Sequence, residues 1–225
     1  MMRKLAAALG ALVALGACGG GGDGGGNGPA TPTSFQLSGG DNQALPTNGQ
    51  LAAPLSVKVL DQNGDGIAGI TVDWSVLSGT VTLVGGATSV TAGTGVATKT
   101  VTGGATLGAA GVRASTTSVP GTNVDFTLTL FPAVVQVGDN FFRSLRNSSQ
   151  DAAVDTVQVG QQVRWTVTGS ASHTVESTGT PTFTSSGNLG KGSTYTITFG
   201  SAGTYTFDCA IHGAAQMSGR IVVVP

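Results

Sequence analysis

Near its C-terminus the chain reads Phe207-Asp208-Cys209-Ala210-Ile211-His212-Gly213-Ala214-Ala215-Gln216-Met217, gathering a thiol, an imidazole and a thioether into one short stretch. The full sequence of 225 residues has only two His, two Cys and three Met. Setting aside an N-terminal export segment together with Cys18, which directly follows it, leaves His173, Cys209, His212 and Met217, and none of the four is left over. Two imidazoles and a thiolate in a trigonal arrangement, with a weak and long axial thioether, are the ligand set of a mononuclear copper electron-transfer site. The expected cofactor is therefore one copper ion held by His173, Cys209, His212 and Met217. The plainer reading, that each is an isolated core or surface residue, would have to place all four at this spacing by chance. A related fold that has lost its metal is disfavoured because all four positions are retained.

The spacing Cys-x2-His-x4-Met, with the other imidazole upstream in Ser172-His173-Thr174-Val175, resembles the plastocyanin and azurin group of cupredoxins, plastocyanin most closely. The resemblance covers roughly residues 133–225. It implies a Greek-key sandwich, a type 1 (blue) copper and single-electron exchange with redox protein partners. It also implies that the His of the Cys–Met loop reaches the surface, so that His212, flanked by Ala210, Ile211, Gly213, Ala214 and Ala215, is the expected electron port. Three residues bear on the match. Asp208 stands where plastocyanin places a Tyr, and Thr174 stands where an Asn commonly bonds the Cys loop, a task its hydroxyl can take over. Trp165 fits the aromatic the family keeps in that strand, as core filler. Two His in the entire chain are too few for a multicopper oxidase or a copper nitrite reductase, so no enzyme activity is expected. Copper sequestration or delivery through the same four ligands is the alternative function.

Positioning these ligands requires strands. Glycine is abundant (37 residues) and charged residues make up only 9%, while Thr, Val, Ser and Ala dominate short alternating runs, the pattern of β structure with many turns. Tyr205, Phe207 and Cys209 alternate onto one face, as do Met217, Gly219, Ile221 and Val223, so thiol and thioether should point toward one core. The expected fold is all-β, as two antiparallel β-sandwiches: an immunoglobulin-like unit over 34–130 and the cupredoxin unit over 133–225. The first rests on runs such as Leu55–Val59, Ile70–Val76, Gly95–Val101 and Val124–Leu128. Its segment Asp61-Gln62-Asn63-Gly64 with Ala68 to Trp74 resembles bacterial immunoglobulin-like domains of the intimin and invasin type. The run from Asp61 to Gly66 reads either as a hairpin turn or as the start of a weak calcium loop. Val72 stands where such a loop needs a bidentate Glu, and the flanking runs are strands, which favours the turn.

Residues 1–17 carry Arg3 and Lys4 and then an apolar run to Leu15, too short to span a bilayer, and read as a signal peptide. Leu15-Gly16-Ala17-Cys18 resembles the bacterial lipobox, which implies lipidation at Cys18. A Cys18–Cys209 disulfide is the competing use of that thiol. Residues 18–33 then form a lipidated Cys and a Gly-rich tether, whose fifteen residues after Cys18 span roughly 20 Å on average and about 50 Å when extended. The expected location is an exported, membrane-anchored lipoprotein, at the outer membrane facing the periplasm or at the cell surface. Removing residues 1–17 leaves eight Lys and Arg against eleven Asp and Glu, a formal charge of −3 without a basic stripe, so nucleic acid is not an expected partner. A monomer is expected.

Overall fold

The structure is a computed structural model that describes residues 29–225. The readings made on residues 1–28, lipidation at Cys18 included, lie outside the described residues. The first half contains β1 (Pro32–Gly39), β2 (Gln43–Pro46), β3 (Leu55–Asp61), β4 (Thr71–Ser78) and β5 (Val81–Leu83), then β6 (Thr88–Val90), β7 (Val96–Lys99), β8 (Val101–Gly103), β9 (Gly108–Ser115) and β10 (Asn123–Phe131). A three-stranded sheet β1-β3-β7 and a five-stranded sheet β2-β10-β9-β4-β6 enclose a core built on Leu55, Val57, Trp74, Val112, Phe126 and Leu128. Strand β3 shows why: Leu55, Val57 and Val59 are buried while Ser56, Lys58 and Leu60 between them are half-exposed, the period of two that a pleated strand imposes.

Two local expectations are corrected here. The run Gly95–Val101 is not one strand: it breaks at Thr100 into β7, paired with β3, and β8, paired with β5. Pro32 and Thr33, read as tether, belong to β1, with Pro32 opposite Asp61. The segment Asp61 to Gly66 is a turn. Asp61 Oδ1 accepts the Asn63 and Asp65 amides at 2.8 and 2.9 Å, Oδ2 accepts the Asn63 side-chain amide at 3.3 Å, and Gly64 takes φ +86°, so both oxygens of this carboxylate are engaged within the turn.

The second half contains β11 (Ala133–Gly138), β12 (Phe141–Ser144), β13 (Ala153–Gln158), β14 (Gln162–Val167), β15 (Glu176–Thr178), β16 (Thr194–Thr198), β17 (Gly203–Asp208) and β18 (Ser218–Val224). They form sheets β12-β11-β14-β16 and β13-β18-β17-β15. Between these lie Trp165, Phe142, Phe199, Phe207, Tyr205 and Ile221. The described residues are all-β, in two sandwiches, and most pairings are antiparallel. Parallel pairing occurs for β2 with β10, β11 with β14, and β13 with β18. Each is a place where the chain crosses to another strand instead of returning through a hairpin.

The two cores meet at Phe131-Pro132-Ala133. A small cluster of Ala44, Phe131 and Val134 fills the joint, and the Thr47 amide donates to the Phe131 carbonyl at 2.8 Å. Among the described residues no helix is long and apolar enough to cross a membrane.

Candidate metal centre

Strand β17 delivers Cys209. Its buried side chains are Tyr205 and Phe207, and the next residue of the same parity is Cys209, fully buried. The Phe207 ring beneath it packs edge-on against Trp165 (centroids 5.3 Å apart) and Phe142 (5.0 Å). That close packing requires Gly219 directly opposite Phe207 in the β17–β18 pair, because a Cβ there would lie 2.3 Å from the Phe207 ring.

The loop after Cys209 explains the ligand spacing. The Cys209 carbonyl accepts the amides of His212 (3.2 Å) and Gly213 (2.8 Å), one tight turn that brings the residue three positions on back over the thiol. Gly213 takes φ +80°, a left-handed conformation that reverses the chain cheaply only without a side chain. The Gly213 carbonyl then accepts the amides of Gln216 (3.1 Å) and Met217 (3.0 Å), and the Cys209 amide donates to the Met217 carbonyl at 3.1 Å. Two successive turns thus close the loop and place Met217 immediately before β18, fully buried in the same core as Cys209.

His173 arrives from the segment between β14 and β15. It is fully buried and is pinned by a two-bond bridge to Leu189, His173 N–H to Leu189 O at 2.9 Å and the reverse at 2.7 Å. The ligand atoms of His173, Cys209 and His212 all lie within 4.8 Å of one another. Cys209 Sγ is 3.3 Å from His212 Nδ1 and 4.0 Å from His173 Nδ1, and the two rings are 4.8 Å apart. Metal–nitrogen and metal–thiolate bonds of roughly 2.0 and 2.3 Å meeting at trigonal angles would separate nitrogen from sulfur by about 3.7 Å. The two observed separations bracket that value, so the donor set fits a single ion. Burial, and then the neighbouring His212, push the His173 pKa below its ordinary value, against a smaller opposing effect of Asp139. A neutral imidazole is the form that ligates.

Thr174, substituting for the expected Asn, holds both sides of the site. Its amide donates to Cys209 Sγ at 3.4 Å, and its hydroxyl oxygen accepts the Ala210 amide at 2.9 Å. Asp208 faces Glu176 across the β15–β17 pair, and partial burial, with Glu176 second, raises its pKa. Trp165 is fully buried as core filler, stacked on Phe183. At the surface, Ala210, Gly213, Ala214 and Ala215 are exposed and Ile211 is 50% exposed, while His212 is half-buried among them.

The architecture and donor set together define a Greek-key sandwich with a candidate two-His, one-Cys metal site, in which His173 and Cys209 are buried and His212 is half-buried. Residues 151–224 match the family of copper binding proteins, plastocyanin/azurin family, and the C-terminal domain is a cupredoxin domain. Strands β11 and β12 precede the matched residues but share its core through Val135, Val137 and Phe142. The chain is similar in structure to a purple cupredoxin from Nitrosopumilus maritimus, at 19% identity, covering 41% of this chain and 99% of that one, with a TM-score of 0.34. Two methionine-to-alanine variants of amicyanin, both in the Cu(I) form, are similar at 24% and 26% identity, each covering 40% of this chain and 80% of theirs, with a TM-score of 0.33. No curated protein matches the chain. The family match and the donor set make copper the cofactor of this domain.

Proposed function

We propose that this protein is an exported, membrane-anchored blue copper protein that carries single electrons between redox partners and catalyses no reaction of its own. The observation that carries the reading is a closed donor set: Cys209 and His173 are fully buried, Met217 is buried in the same core, and only the half-buried His212 edge approaches solvent. When bound, copper supplies a Cu(II)/Cu(I) couple. Cys209, His173 and His212 would hold the ion, with Met217 as a weaker fourth donor; the thiolate would stabilise the reduced state and the imidazoles would tolerate both. A site braced by Thr174, Leu189 and the Cys209–Met217 loop has little freedom to rearrange as the charge changes.

The collar around His212 has no charged side chain to desolvate, which suits the brief, small-area encounters redox proteins make. Introducing Lys or Glu at the exposed Ala214 is expected to change the electron self-exchange rate at low salt by about tenfold, since like charges then meet at the contact. The visible spectrum and potential should hardly move. Equal self-exchange in wild type and both variants would remove His212 as the port.

Anchoring rests on the lipobox-like Leu15-Gly16-Ala17-Cys18. The full chain is expected to partition with membranes and to carry lipid, whereas Cys18→Ala yields soluble or unprocessed protein. Recovery of all the wild type as unlipidated, water-soluble protein would overturn the anchor while leaving the copper site untouched.

A further inference from the structure

A ligating imidazole is ordinarily oriented through its second ring nitrogen, which donates to a carboxylate, a carbonyl or water. His173 departs from this: Nδ1 faces Cys209, while Nε2 is buried and has no hydrogen-bond partner among the described residues. The ring's direction must therefore be set by its backbone and by packing. The downstream side is fixed through Thr174 and the middle through Leu189, as described above. The upstream side, residues 168–171, lies against the turn between β11 and β12.

There Asp139 makes four contacts to two consecutive residues. Its Oδ1 accepts the Ser170 amide at 2.5 Å and the Ala171 amide at 2.9 Å, and the Ser170 hydroxyl lies 3.2 Å from Oδ1 and 3.3 Å from Oδ2. The Val137 carbonyl accepts the amides of Thr168 (2.8 Å) and Gly169 (3.1 Å), and Gln136 Nε2 donates to the Thr168 hydroxyl at 2.9 Å. Gly169 permits the approach, since a Cβ there would lie 2.6 Å from Asp139 Oδ1. A carboxylate taking two adjacent amides fixes the local peptide planes, and it does so two residues before the ligand.

We infer that Asp139 is a positioning residue for the metal site, holding the segment that carries His173 in its ligand geometry before copper arrives. It touches neither the metal ligands nor the electron port, and it rests on the copper reading only for what the positioned imidazole binds. The effect belongs to a class in which loss of an outer partner costs roughly 10–100-fold in metal affinity.

The test uses the full chain with Asp139→Ala and Asp139→Asn. Cu(I) affinity is read by competition with a chromogenic chelator, and amide exchange is read on metal-free protein. In metal-free wild type the Ser170 and Ala171 amides are expected to exchange as slowly as strand amides of the same sandwich. In Asp139→Ala they should exchange at least about tenfold faster, with Cu(I) affinity down about 10–100-fold. Asp139→Asn keeps an Oδ1 acceptor for both amides and is expected to stay close to wild type in both readouts. Wild-type protection and affinity in Asp139→Ala would overturn the inference. If that variant does not fold, free-loop exchange of Ala171 in metal-free wild type overturns it alone. A failure of the copper reading has a different signature: no Cu(I) affinity in wild type, with the exchange pattern intact.

Discussion

Cys209→Ser is expected to fold, to lose the intense visible band of the Cu(II) protein completely, and to hold Cu(I) far more weakly than wild type. The thiol is fully buried, accepts the Thr174 amide, and stands 3.3 and 4.0 Å from the two imidazole nitrogens. A hydroxyl has nearly the same shape, so the packing over Phe207 survives, but it is neither a soft donor nor ionised near neutral pH. The visible band arises from charge transfer between thiolate and Cu(II), and no other thiol lies among the described residues. The loss in Cu(I) affinity should exceed the roughly 10–100-fold typical of removing an outer-layer partner, because here a ligand itself is removed. Chelator competition and the visible spectrum check both outcomes, and a Ser variant that kept the band would exclude Cys209 as the ligand.

The second large effect concerns stability and lies away from the copper. Asp155 on β13 is 1% exposed. The Ser144 hydroxyl donates to its Oδ1 at 2.9 Å, while Oδ2 is buried without a partner among the described residues. Burial pushes its pKa from 3.8 up to about 7, against smaller opposing effects of the Ser144 hydroxyl and Arg146. The folded protein therefore holds a proton that the unfolded chain releases above about pH 4. This group's contribution is fully present below pH 4 and is lost as pH rises through about 7. The full difference is on the order of 4 kcal/mol. Asp155→Asn, neutral at all pH, is expected to unfold at higher urea than wild type at pH 8 and to lose most of that advantage at pH 4 to 5. Parallel pH profiles for the two proteins would show that Asp155 is ionised without penalty in the fold.

How much of this was legible in the sequence depended on how local its causes are. The grouping of His173, Cys209 and His212 was readable because copper chemistry restricts donors to residue types this chain hardly uses elsewhere, and the return to Met217 because the two turns after Cys209 are local. Strands with clean alternation, such as β3 and β17, were readable for the same reason. Strands β9 and β12 were not: Gly108–Ser115 is rich in Gly and Ala, and Phe141–Ser144 is short, so each is a strand mainly because a distant neighbour pairs with it. Asp139 and Asp155 look like ordinary solvated acids in sequence. What distinguishes them is a loop 31 residues away in one case and burial between two sheets in the other. Thr174 was legible only through the resemblance, and the structure adds that both its amide and its hydroxyl are used.

The central claim, that His173, Cys209, His212 and Met217 form one blue copper site, is tested most directly by titrating the purified metal-free full chain with Cu(II) while recording the visible spectrum. The account predicts an intense blue thiolate-to-copper band that saturates at one equivalent and bleaches on one-electron reduction. Stoichiometric Cu(II) binding without that band, or no binding, would contradict it.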